Sequence, residues 1–171
     1  MLDNCFALGY RGIINHYVGM SHYYRLDNGT NQKVVSVPTA LNAPCVAWHK
    51  NLVRVAKAKG YDLIFSLSYE LFDENAPSAW AQKDEAGNRA LTGWVPPSTL
   101  LSPANTTAMG YLQKVGKEFV QIMVDEGMQP RFQIGEPWWW IDFNDHRIFI
   151  YDADAQALFG AANVVSIPNI R

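Results

Sequence analysis

"NAPCVAWHKNLVRVAKAKGYDLIFSLSYEL", residues 42–71, sets a helix signal and a strand signal end to end. Asn42 stands where a cap is needed, Pro44 suits a first turn, and Gly60 marks a stop. Cys45, Trp48, Leu52, Val55 and Ala56 recur at helical spacing, while Lys50, Arg54 and Lys57 lie off that face. The apolar run from Tyr61 then starts without a pause. The same order returns later. "SPANTTAMGYLQKVGKEFVQIMVDEG" (102–127) carries Met109, Leu112, Val115, Phe119, Ile122 and Met123 on one side and ends at Gly127. It leads directly into "MQPRFQIGEP" (128–137). Two further short apolar runs are "GIINHYVGM" (12–20) and "HRIFIYDA" (146–153), and "ANVVSIP" (162–168) is a fifth candidate. Short apolar runs alternating with amphipathic helices predict βαβ units, hence an α/β fold with parallel strands.

The link from Phe72 to Ser102 is long for a compact domain and contains Trp80, Trp94, Pro96 and Pro97. A loop of that length and aromatic content is expected to be functional.

The chain has 171 residues, 49% apolar and 18% charged, which describes a folded domain rather than a disordered segment. A net charge of −2 gives no basic surface for nucleic acid. No apolar run reaches the roughly 20 residues of a membrane span, and no signal-peptide order opens the chain. The expected location is therefore cytoplasmic or on a virion. Cys5 and Cys45 form no disulfide framework and no CxxC, and the four histidines complete no zinc spacing. No GxSxG, GxGxxG or phosphate-binding loop is present, so neither a metal nor a cofactor is expected.

Polar residues gather toward the C-terminal ends of the expected strands: Asn15, His16 and Tyr17; Ser68, Tyr69 and Glu70; Glu136; Tyr151 and Asp152. In parallel α/β folds ligands bind at those ends, because the loops and helix N-termini collect there. One of the ends reads "RFQIGEPWWWIDF" (131–143) and places Glu136 beside Trp138, Trp139 and Trp140. Indole surface beside a carboxyl raises its pKa, as a general acid needs, and also offers a stacking platform for sugar rings. The alternative is a strand-end salt bridge with the tryptophans as packing. Hydrolysis of a glycoside needs a second carboxylate, about 5–5.5 Å away for retention or about 6.5–9.5 Å for inversion. Glu70 is the nearest candidate, with Asp142 and Asp152 in reach. Asp152 also reads as the cap of a helix beginning near Asp154. His16 and His22 either hold a sugar hydroxyl or pack, and Tyr17, Tyr23, Tyr24 and Tyr69 either line a groove or fill space. Trp80 and Trp94 are either subsite walls or a plug over the sheet.

"FQIGEP" on a strand after an amphipathic helix resembles the fourth strand of TIM-barrel glycosidases, whose acid/base glutamate commonly lies within Asn-Glu-Pro. Glu136 and Pro137 match, but Gly135 stands where the asparagine would contact the sugar. The longer pattern, "GEPWWWIDF" followed by "RIFIYDADAQALFG", is similar to the glycosidase-like TIM-barrel domain of phage and gene-transfer-agent-like tail proteins. That resemblance covers residues 10 to 160. It implies a domain that binds or cuts cell-surface polysaccharide, or one that only decorates a tail.

A complete eight-fold barrel takes about 250 residues. The chain is therefore expected to be one partial (β/α)-barrel domain over residues 1–171, either a piece of a larger parent protein or a barrel completed by self-association, with an open parallel sheet in a small α/β domain as the remaining choice. Two functions follow. One is a glycoside hydrolase-like domain with Glu136 as general acid/base, Glu70 as its partner carboxylate and polysaccharide as ligand. The other is a non-catalytic structural or glycan-binding module of a tail-like assembly.

Overall fold

The structure is a computed structural model that describes residues 1–18, 23–29, 31–68, 70–135, 139–142 and 144–160. Its elements are α1 (Leu2–Ala7), β1 (Ile13–Val18), β2 (Arg25–Leu26), β3 (Val34–Val35), α2 (Ala43–Ala58), β4 (Asp62–Leu67) and β5 (Glu70–Phe72). After a 3-10 turn (Ser78–Trp80) come β6 (Ser98–Leu100), α3 (Thr106–Asp125), β7 (Phe132–Ile134) and α4 (Ala153–Phe159). Two compact units result. The first comprises Met1–Arg25, Ser36–Ser68 and Gln113–Gly135; the second comprises Leu26–Val35, Tyr69–Leu112 and Glu136–Arg171.

The first unit holds the parallel sheet, in the order β1-β4-β7. Ile14 lies beside Leu63 and His16 beside Phe65, while Phe65 and Leu67 lie beside Phe132 and Ile134. Each new strand is added on the same side as the last. With right-handed crossovers, that order brings successive helices onto one face of the sheet. The packing agrees: the Phe65 ring of β4 meets His49 of α2 at 5.3 Å and Phe119 of α3 at 5.6 Å. Leu63, Phe65, Val53, Ala56, Val115, Phe119 and Met123 are fully buried there. The sequential order β1-β4-β7 is the one a (β/α)-barrel uses for neighbouring strands. The expected parallel α/β arrangement is thus present in its first three strands.

Local signals explain the helices. The Asn42 side chain accepts the Cys45 N–H at 2.8 Å, and Gly60 takes φ +73°, which lets the chain reverse into β4. The buried stripe is rotated from the expected one: Cys45, His49, Leu52, Val53 and Ala56 face inward. Trp48 stays 49% exposed and His49 only 6%. Helical spacing alone permits either stripe; the Phe65 and Phe119 rings select the one containing the histidine. Farther along α3, the Glu118 carboxylate accepts the Ala40 and Leu41 N–H groups at 2.9 and 3.0 Å. The carboxylate thus satisfies two backbone donors beside the Tyr24–Leu41 bridge.

The second unit corrects the expected long loop. Residues 70–101 form a compact β arrangement in which β5 and β6 pair antiparallel, Leu71 opposite Thr99. Bridges add Ala81 to Leu101, Lys83 to Arg89 and Leu91 to Thr99. The segment hides its strands because many of its inward residues are small or polar: Ala76, Ala81, Gln82, Asp84, Ala90 and Thr99 are all buried, beside Leu71, Leu100 and Leu101. Gln82 succeeds there by donating to the Leu101 carbonyl at 3.1 Å and accepting the Trp140 N–H at 2.6 Å. The run read as one strand from Tyr61 to Leu71 also divides. The parallel strand stops at Leu67, and Glu70 opens the antiparallel β5.

The expected strand at "HRIFIYDA" is corrected as well. Ile148 makes an isolated antiparallel bridge to Ile141, and the Phe149 N–H donates to the Trp140 carbonyl at 3.0 Å. The apolar run therefore folds back on its own upstream neighbour and adds no parallel strand. Its burial comes from Phe149 packing with Ala90, Leu100 and Trp140. The candidate strand at residues 162–168 lies outside the described residues.

Candidate functional site

In the first unit, β1 alternates sides, as a strand must. His16 points to the helical face, where its ring lies 5.3 Å from Trp48 and 5.9 Å from Phe65. Asn15 and Tyr17 point to the other face, and Tyr17 is 65% exposed. There the Asn15 amide reaches the Gln133 side-chain oxygen at 3.5 Å. His16, Val18, Tyr23, Cys45, Trp48 and His49 surround a cavity of about 540 Å³.

The chemistry of this cavity lies in two imidazoles. His16 Nε2 and His49 Nε2 are 3.2 Å apart, and His49 Nδ1 lies 2.8 Å from the Cys45 carbonyl oxygen. A carbonyl only accepts, so Nδ1 of His49 carries the proton and donates it. In its neutral form His49 then presents a bare Nε2, and the His16 Nε2–H donates to it. One proton lies between the two rings. Burial pushes His16 below its ordinary value; His49 falls to about 4, mainly by burial, with a smaller lowering from His16 and an opposing rise from the Cys45 carbonyl. The Cys45 thiol is pushed up to about 12 by burial, so it is protonated at neutral pH and poorly suited to act as a nucleophile.

A pH dependence follows from the pair. Around His49 stand His16, Trp48, Cys45, Phe65 and Phe119, with no charged group among these neighbours. Between the ordinary value of 6.5 and the folded value of about 4, the unfolded chain takes up a proton that the folded chain refuses. Stability is therefore fully present above pH 6.5 and declines as pH falls through that window, by about 2 kcal/mol after discounting for solvent screening. Urea titrations of the metal-free chain at several pH values should show this decline in the native protein and a flatter profile in His49→Gln. Equal slopes in the two proteins would exclude the pair as its source.

The expected site residues fall in both units. Glu136, Trp138 and Tyr69 lie outside the described residues, as does His22. His16 and Tyr17 belong to the first unit, on opposite faces of β1. Glu70, Trp80, Trp94, Trp139, Trp140 and Asp152 belong to the second. Glu70 pairs opposite Leu100 within a short antiparallel ladder, not at the end of a parallel strand. Trp80 packs on Tyr111 at 5.4 Å, Trp139 on Phe159 at 5.7 Å, and Trp140 on the Ala90, Leu100 and Phe149 cluster. Trp94 leaves 49% of its surface in solvent. Asp152 caps α4, accepting the Ala155 N–H at 3.0 Å and the Ser102 hydroxyl at 2.9 Å, and is 1% exposed. That cap had a sequence signal; His49 had none beyond its residue type, because the helical spacing placed Trp48 inward.

Among the described residues, no three His, Cys, Asp or Glu side chains gather as a metal site, and no helix is long and apolar enough to cross a membrane. No curated protein matches the chain. The family model for the non-contractile tail sheath protein TIM barrel matches residues 1–171. This agrees with the tail-protein and TIM-barrel parts of the resemblance read from "GEPWWWIDF" and "RIFIYDADAQALFG", and carries no glycosidase description. A sequential parallel sheet with its helices on one face and a match along the full length lead to one assignment: the chain belongs to the non-contractile tail sheath protein TIM-barrel family.

Proposed function

We propose that this chain is a structural module of a virion tail sheath, working through contacts with further copies or other tail components and not through turnover. The family match over residues 1–171 carries this reading. The sheet of the first unit supports it. Among the described residues β1 and β7 are the outer strands of that sheet, and Ile13 on β1 is 54% exposed. Unpaired strand edges favour association unless they are covered. Light scattering across a concentration series, with electron microscopy of the concentrated end, tests the proposal. Association should grow with concentration, and Ile13→Glu should weaken it at least tenfold with little change in thermal midpoint. A chain that stays monomeric throughout and hydrolyses a polysaccharide would overturn it.

A second reading keeps the carbohydrate site, with Glu136 as general acid/base, Glu70 as its partner carboxylate and a polysaccharide ligand. One observation favours it: Trp94 is half exposed, and exposed indole surface suits a sugar ring. Under this reading Trp94→Ala weakens polysaccharide binding, and Glu136→Gln abolishes turnover while binding remains. Turnover unchanged in Glu136→Gln would remove Glu136 from the mechanism.

A further inference from the structure

The cavity of the first unit contains two nitrogen donors that neither reading of function employs. We infer that His16 and His49 form a two-imidazole site for a divalent first-row transition ion, with its remaining coordination positions open to the cavity. The distance is the first ground. Metal–nitrogen bonds of about 2.0–2.1 Å at a tetrahedral angle hold two nitrogens about 3.3–3.4 Å apart. The two Nε2 atoms stand at 3.2 Å, close to that separation, so an ion beside the line joining them is in bonding reach of both once the rings turn their lone pairs toward it.

Orientation is the second. Imidazoles that bind metals usually donate their other N–H to a carbonyl or carboxylate, which fixes both the tautomer and the ring plane. His49 does this through Nδ1 to the Cys45 carbonyl at 2.8 Å, which leaves Nε2 as the nitrogen that carries its lone pair. The His16 ring is held between Trp48 and Phe65. Space is the third ground: the cavity of about 540 Å³ has room for waters or a small anion to complete the coordination shell.

The exchange balances without redox chemistry. In the metal-free pair, the proton between the rings belongs to His16 Nε2. When an ion binds, that proton moves to Nδ1 of the same ring, both Nε2 lone pairs go to the metal, and no net proton is released. Cys45 is not in the donor set, because its thiol meets the Nδ1 edge of His49, at 3.3 Å. Among the described residues no third His, Cys, Asp or Glu joins the pair, so the site is open and exchangeable, unlike a closed four-ligand structural centre. Imidazole donors favour Zn²⁺, Co²⁺, Ni²⁺ and Cu²⁺ over Mg²⁺ and Ca²⁺.

The test uses the whole 171-residue chain, stripped with a chelator and titrated with Co²⁺. The expected result is one Co²⁺ per chain with tetrahedral-type visible absorption, displaced by Zn²⁺ and not by Mg²⁺. The ¹⁵N resonances of His16 and His49 should both shift on Zn²⁺ addition. His16→Gln should lower Co²⁺ affinity at least tenfold while circular dichroism stays native. Three results would overturn the inference: no Co²⁺ bound, binding unchanged in a folded His16→Gln protein, or Zn²⁺-dependent shifts confined to the other two histidines. The last needs only the native chain, so the question is answered even if the substitution prevents folding.

Discussion

Phe119→Ala is expected to lower stability by about 3–5 kcal/mol, the usual cost of emptying a phenyl-sized space in a packed core. Phe119 is fully buried, and its ring meets His49 at 4.9 Å, Phe65 at 5.6 Å and Tyr23 at 6.0 Å. Those neighbours come from α2, from the central strand β4 and from the segment before β2. One ring on α3 therefore joins three parts of the first unit that are distant in sequence. Its neighbours cannot collapse into the gap easily, because His49 is anchored to the Cys45 carbonyl and Phe65 is fixed by strand pairing on both sides. Domains are commonly stable by only about 5–15 kcal/mol, so the loss is a large share of the total. Val124→Ala is the matched control. It lies on the same helix with half its surface in solvent and should cost well under the Phe119 value. Urea unfolding followed by tryptophan fluorescence measures both. A Phe119→Ala loss no larger than that of Val124→Ala would mean that the rings meet without supporting the unit.

The difference between those two positions also shows what the sequence made legible. Phe119 and Val115 stand at helical spacing ahead of a terminal glycine, so periodicity alone placed them inward. Strands β4 and β7 were readable for a related reason, each being a short apolar run directly after an amphipathic helix, and β1 was read from its apolar run alone. Periodicity failed where burial does not depend on large apolar side chains. In residues 81–91 the inward positions are Ala81, Gln82, Asp84 and Ala90, whose burial rests on hydrogen bonds and close backbone packing. Such a strand has no hydrophobic alternation to detect. The apolar run at 148–150 misled in the opposite sense, because an apolar run shows that burial occurs and not which strand will cover it. At the cavity, His16 was a candidate and its partner was not. Sequence spacing gave a helix face to within one residue, and that residue decides between Trp48 and His49. The fold class was legible from local patterns; the imidazole pair needed three-dimensional register.

The polar burial that hid the second unit's strands is testable at Asp84, which is 1% exposed. Its Oδ1 accepts the Asn88 N–H at 2.7 Å; its Oδ2 accepts the Asn88 side-chain amide at 2.9 Å and Arg147 Nη1 at 2.6 Å. The carboxylate thus closes the turn between Lys83 and Arg89, where Gly87 at φ +84° lets the chain reverse. It also receives a guanidinium whose other nitrogens serve Asp145 at 2.6 Å and Asp142 at 3.7 Å. Asp84→Ala removes all three acceptor contacts at a site that water does not reach, and is expected to cost about 3–5 kcal/mol. Arg147→Ala should cost less, because the guanidinium is half exposed and Asn88 keeps its two hydrogen bonds to the carboxylate, although that carboxylate loses its cation. Asp84→Asn should fall between them: its oxygen still serves Asn88, while its amide turns a donor toward Arg147. The order Asp84→Ala, Asp84→Asn, Arg147→Ala, from largest loss to smallest, is what thermal or urea unfolding should return. If Arg147→Ala matched Asp84→Ala, the ion pair and not the turn would be the source of stability. If all three were small, the second unit would depend on its Leu100 and Phe149 cluster, and the buried carboxylate would have no measurable part in holding it.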